Sequence, residues 1–188
     1  MTIPEIRDKV RSNVNERRFE HTLGVASTAS LLGSVYGVDR DQCEIAGLLH
    51  DCAKCYSDAD LMTLCEKAGI LLTDELKASP QLLHAVYGPT EAALQYGITD
   101  HEILRAIRYH TTGKEEMSRL EQILFVSDFI EPHRSFAYDL TALRKLSLTD
   151  LDLVTAIILK DTIEYLKEKK VLIDNDTLKA FDHYKKYL

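Results

Sequence analysis

The chain has 188 residues, with 23 Lys and Arg against 30 Asp and Glu and a net charge of −7. That length suits one domain, 1–188, with a core large enough to fold without disulfides. The acidic balance argues against long nucleic acid as a partner, because neutralising phosphates needs a positive field, and eight glycines with four prolines argue against turn-rich β-sandwiches and disordered linkers.

The N-terminus, Met-Thr-Ile-Pro-Glu-Ile-Arg, has no apolar leader, and the longest uncharged apolar stretch, Leu153 to Leu159, is far short of the ~20 residues of a membrane span. The expectation is a cytoplasmic protein with no membrane partner. Ile3, Ile6, Val10 and Val14 form one helical stripe. A second helix is predicted from about Glu16 to Tyr36, stopped by Gly37, and a third from about Arg40 to Lys54. Asp58 to Ala68 is a fourth. Pro80 opens another through Tyr87, and Thr90 to Tyr96 continues after a break at Gly88-Pro89. Thr99-Asp-His-Glu102 has a capping-box pattern that starts a helix to about Thr111. Ser118-Arg-Leu-Glu121 repeats it and starts one ending before Pro132. Leu140 to Leu146, Thr149 to Lys170 and Asn175 to Tyr187 complete an all-α chain with no convincing strand pattern. The helices from about 140 onward carry no metal-ligand pattern and read as support for the core. Their apolar residues could be buried within one chain or across the two-fold axis of a homodimer.

Cys52 and Cys55 form a C-x-x-C, but Cys43 and Cys65 supply no second close pair, so no zinc ribbon follows. The four thiols read as reduced, packed small hydrophobes. Five of the seven histidines lie between positions 50 and 133. His21, His50, His84 and His110 each sit in apolar helical sequence, where a buried imidazole needs a hydrogen-bond partner or a metal. Asp51 follows His50, and Lys54 lies three residues on. Asp128 stands in the apolar run Ile123 to Ile130, where a carboxylate must be paired or bind a cation. Together these four imidazoles and two carboxylates suit iron, manganese, zinc or nickel and are enough for two ions. His101, His133 and His183 read as surface residues.

The ordered set His21 … His50-Asp51 … His84 … His110 … Asp128 resembles the HD-domain metal-dependent phosphohydrolases. The strings Arg18-Phe-Glu-His21, Leu48-Leu-His-Asp-Cys-Ala-Lys54, Leu83-His-Ala-Val-Tyr-Gly88, Tyr109-His-Thr-Thr-Gly113 and Ser127 to Arg134 resemble the bacterial YqeK group within them. The likeness spans residues from about 15 to 135. It implies an HD helical bundle around a binuclear metal site and symmetrical hydrolysis of diadenosine tetraphosphate to two ADP, with ADP or GDP as product-like ligands. It also implies a site in which His21, His50, Asp51 and Asp128 hold one ion. His84 and His110 hold the second, with Asp51 bridging. Iron is the metal it implies, and manganese, cobalt or zinc would suit the same donors. Asp51 and Lys54 are the catalytic candidates. Arg18, Lys54, Thr111 and Arg134 are the candidate substrate contacts, with backbone donors at Gly113 and a supporting role for Glu131. Two positions depart from the group's pattern: Pro89 after Gly88, expected to reshape the turn beside His84, and Ser127 before Asp128.

Two rivals remain open from sequence. One is another HD enzyme, either a different nucleotide phosphohydrolase or a di-iron oxygenase. The other is a non-catalytic nucleotide sensor. The cyclic-dinucleotide phosphodiesterase branch is disfavoured, because no Gly-Tyr-Pro follows a ligand and the nearest string is Tyr87-Gly88-Pro89.

Overall fold

The structure is a computed structural model that describes residues 1–134 and 140–188. Eleven α-helices are present among them: α1 (Ile3–Asn13), α2 (Glu16–Tyr36), α3 (Arg40–Leu49), α4 (Asp58–Lys67), α5 (Asp74–Ala78), α6 (Leu83–Tyr96), α7 (His101–Tyr109), α8 (Arg119–Ile130), α9 (Thr141–Leu146), α10 (Leu151–Glu168) and α11 (Asn175–Tyr184). Short 3₁₀ turns occupy Cys52–Cys55, Pro80–Leu82 and Lys185–Tyr187, and no strand occurs among the described residues. No helix there is long and apolar enough to cross a membrane.

Local chemistry sets most of the boundaries. Thr2, Ser57 and Ser118 each form a reciprocal capping box, with Glu5, Asp60 and Glu121, which satisfies backbone donors that a helix start leaves free. Gly37 ends α2 in the left-handed region, at φ 71°, where a residue with a Cβ is disfavoured. The capping box expected at Thr99 is not made. Asp100 caps α7 instead, its carboxylate accepting from the N–H groups of Glu102 and Ile103.

Two further expectations fail. The helix expected through Lys54 ends at Leu49. His50 caps it, Asp51 turns the chain at φ −107°, ψ 17°, and a 3₁₀ turn follows. The break expected at Gly88-Pro89 is absent, and α6 runs straight through it with Pro89 inside. Gly88 serves packing rather than a turn: a Cβ there would lie 2.9 Å from Ile107 Cγ2. The short helix α5 carries no buried residue, so no apolar stripe announced it.

Helix α2 is the spine, packed along α3 and α8. Helix α7 lies between α6 and α8, and α10 covers the far side of α8 and carries α11. Val25, Ala29 and Leu32 meet Leu48, Leu49, Ile107, Ile123 and Leu124 in one core. Helices α2 and α3 touch backbone to backbone at Gly47, where a Cβ would lie 2.5 Å from Ala26 Cα. A smaller apolar cluster around Leu61, Cys65, Leu83 and Val86 seats α4 on α6. All four cysteines are free thiols, and three are buried as expected, whereas Cys55 is exposed. His183 is half-buried rather than on the surface, its ring edge-on to Tyr184.

Candidate metal centre

All six predicted ligands converge, from five parts of the fold. His21 lies in the second turn of α2. His50 and His110 cap the C-termini of α3 and α7. Asp51 follows α3, His84 opens α6, and Asp128 lies in the last turn of α8.

The helix ends fix three of the rings. Nδ1 of His50 donates to Gly47 O at 2.7 Å, Nδ1 of His84 to Gln81 O at 2.8 Å, and Nδ1 of His110 to Ile107 O at 2.8 Å. A carbonyl oxygen only accepts, so Nδ1 carries the proton in each, and the neutral ring presents a lone pair at Nε2. Glu131 Oε1, 3.1 Å from His21 Nδ1, does the same for the fourth ring. The four Nε2 atoms then face one another in two pairs, His21 with His50 at 3.2 Å and His84 with His110 at 3.3 Å.

Asp51 sits between the pairs. Its Oδ2 lies 3.4 Å from His50 Nε2 and 4.0 Å from His21 Nε2. Its Oδ1 lies 3.4 Å from His84 Nε2 and 3.5 Å from His110 Nε2. Asp128 Oδ1 joins the first pair, 3.1 Å from His21 Nε2 and 3.8 Å from His50 Nε2. The donor atoms of His21, His50 and Asp51, and those of Asp51, His84 and His110, form two groups compact enough to hold a metal ion each.

The donor chemistry fits cations. Paired imidazole lone pairs and a carboxylate, with their protons held on the outer side, are what a divalent metal takes. Asp51 Oδ1 is buried and accepts no well-aligned hydrogen bond from the protein, although such atoms are rarely left so. Burial opposes charge on Asp51, yet His50, His110 and Lys54 overcome it and hold the carboxyl well below the usual carboxylate range. Asp128 is lowered in the same sense, against burial, by His21, His50 and Arg134. Burial, helped by Lys54 and His110, pushes His84 down to about 3, so that ring is neutral at pH 7.

The other predicted residues surround this centre. Lys54 Nζ lies 3.1 Å from Asp51 Oδ1 and Arg18 Nη1 2.6 Å from Oδ2, so each oxygen has its own cation. Arg134 grips Asp128 twice, Nη2 to Oδ1 at 2.7 Å and Nε to the backbone carbonyl at 2.9 Å. Thr111 Oγ1 is 3.0 Å from His110 Nε2 and 3.4 Å from His84 Nε2. Gly113 does not fit its expected part, because its N–H is spent on Tyr109 O. Pro89 does not reshape a turn beside His84, since both lie in one helix.

A cavity of about 560 Å³ opens on the His21 side, lined by Arg17, Arg18, His21, Glu131, His133 and Arg134 among others. Arg17 and His133 were not singled out from sequence as parts of the site. Arg17 is one of two adjacent arginines on α2, and His133 is more than half exposed, so neither carried a pattern of its own.

The HD domain family matches residues 18–132, a span that holds all six convergent residues. The chain belongs to that family. It is 37% identical over 173 residues to a symmetrical bis(5'-nucleosyl)-tetraphosphatase of Halalkalibacterium halodurans, covering 92% of this chain and 91% of that one. It is 35% identical over 175 residues to the Bacillus subtilis enzyme of the same name, covering 92% of each. A crystal structure of an HD superfamily hydrolase from Clostridium acetobutylicum, described as involved in NAD metabolism, matches with TM-score 0.95 at 34% identity. That match covers 100% of this chain and 99% of the other. The HD centre of this chain is thus framed by the same fold from end to end.

Proposed function

We propose that the chain is a symmetrical bis(5'-nucleosyl)-tetraphosphatase, hydrolysing diadenosine tetraphosphate to two ADP. The observation that carries the reading is Asp51, each of whose oxygens faces its own pair of imidazole nitrogens. The near full-length likeness to tetraphosphatases supports the substrate.

In this reading His21, His50, Asp51 and Asp128 hold one divalent ion, and Asp51, His84 and His110 hold a second. Iron fits these donors, as do manganese, cobalt and zinc. Two such ions supply a water acidified toward neutrality and relieve charge on the attacked phosphoryl group. The residues do the rest. Arg18, Arg134 and Arg17 bring positive charge to the cavity mouth, where a chain of four phosphates enters. Lys54 stands on the opposite oxygen of Asp51, placed for a phosphate on the His84 side, with the Thr111 hydroxyl beside it. The bond from water oxygen to phosphorus forms as the bridge between the second and third phosphates breaks. ADP departs as a stable anion, so positioning and charge neutralisation matter more than a strong general acid. The net charge of −7 does not oppose this, because Arg17, Arg18 and Arg134 line the cavity and Lys54 stands on Asp51, so positive charge gathers where the phosphates enter.

The test is product identity. Metal-loaded protein incubated with diadenosine tetraphosphate should yield ADP alone. ATP with AMP would contradict the symmetrical cut, and no turnover of any nucleotide by the metal-loaded protein would favour an oxygenase or a sensor.

A further inference from the structure

His21 differs from the other three imidazoles in one respect. His50, His84 and His110 lean on neutral backbone carbonyls at helix ends. His21 lies inside α2, where the carbonyls of the preceding turn are already engaged, so its Nδ1 must find a partner on another helix. That partner is Glu131, at the C-terminus of α8 and three residues after Asp128. The carboxylate is buried, at 1% exposure, and held at several points. Oε1 faces His21 Nδ1 at 3.1 Å, and Oε2 accepts from the His133 N–H at 2.7 Å. Its backbone carbonyl accepts from Arg144 Nη2 at 2.8 Å. The carboxylate reaches His21 by pressing on α2 at Gly24. A Cβ on Gly24 would overlap Glu131 Oε2 and lie 3.1 Å from its Cδ.

We infer that Glu131 is a positioning residue for one half of the centre, and that Gly24 exists in α2 to admit its carboxylate. Glu131 keeps the His21 proton on Nδ1, turns the Nε2 lone pair toward Asp51 and Asp128, and makes His21 the one ring of the four whose Nδ1 faces an anion rather than a carbonyl. This inference rests on the dinuclear reading of the site. It assigns to a residue that stands behind His21 Nδ1 a control over one ion only.

The experiment titrates stripped full-length protein with cobalt(II), followed by calorimetry and visible absorption. Glu131→Gln keeps the shape but has one acceptor for two donors, so either the His21 Nδ1–H or the His133 N–H meets an amide NH₂. The variant should bind one of two cobalt equivalents about 10–100-fold more weakly, the other staying within about threefold of wild type. Gly24→Ala should weaken the same equivalent. The double variant should lose no more than the worse single one, since both remove one contact. Equal weakening of both equivalents, no weakening, or full additivity would overturn the inference. If Gly24→Ala does not fold, Glu131→Gln alone decides. Split cobalt affinities in a protein that leaves diadenosine tetraphosphate intact would uphold this inference while sinking the proposed substrate.

Discussion

Gly47→Ala tests whether the contact between α2 and α3 sets the spacing of the centre. The new Cβ would lie 2.5 Å from Ala26 Cα and 2.8 Å from Ala26 N. Carbon atoms prefer about 3.5–4.0 Å, so the two helices must part by roughly 1 Å locally. Overpacking of this kind costs about 1–3 kcal/mol. Replacing a helical glycine with alanine returns about 0.5–1 kcal/mol, so the net loss should be at most about 2.5 kcal/mol, measured by urea denaturation. The effect on chemistry should be larger. Helix α2 carries His21 and α3 leads into His50 and Asp51, with His21 and His50 Nε2 only 3.2 Å apart. Ligand distances tolerate only about ±0.2 Å, and a 1 Å misplacement can cost about 10²-fold in rate. Turnover of diadenosine tetraphosphate should therefore fall about 100-fold while the protein stays folded. Wild-type turnover in a variant that shows the stability loss would refute the argument that this contact spaces the ligands.

Other perturbations separate the parts. Asp51→Asn should abolish binding of both ions and all turnover, whereas Asp128→Asn should cost one ion, as counted by metal analysis after gel filtration. Arg134→Lys should not restore what Arg134→Ala loses in kcat/KM, because a lysine cannot reproduce the two-pronged grip on Asp128; full rescue by lysine would contradict this. Glu91→Gln should raise stability at pH 7 to 8 and change little at pH 4. Burial raises the Glu91 carboxyl above its usual value, against the lowering effect of the Tyr56 hydrogen bond. The fold therefore favours the protonated form, and stability is lost as pH rises through that raised value. Thermal melts of both proteins across that range check the sign.

The residues that converge were legible in sequence because each is a polar group in an apolar helical run, and their order matched one pattern. The way they are aimed was not. His50 and His110 look like ordinary helix residues by periodicity, yet each ring takes up a carbonyl three residues back at a helix end. The same local event explains the misplaced end of α3, since Ala53 and Lys54 are compatible with helix and only the turn at Asp51 shows the stop. Gly88-Pro89 reads as a break by local propensity, but packing of α6 against α7 and the Cys52–Cys55 turn keeps the helix continuous. Gly24 and Glu131 are 107 positions apart, and nothing in either local string shows that one makes room for the other.

The central claim is that Asp51 is shared by two ions. Anomalous diffraction from a manganese-loaded crystal tests it most directly. Two peaks about 3.5–4 Å apart, one beside His21 and His50 and one beside His84 and His110 with the Asp51 carboxylate between them, are the predicted result. A single peak, or two peaks that do not share Asp51, would contradict it.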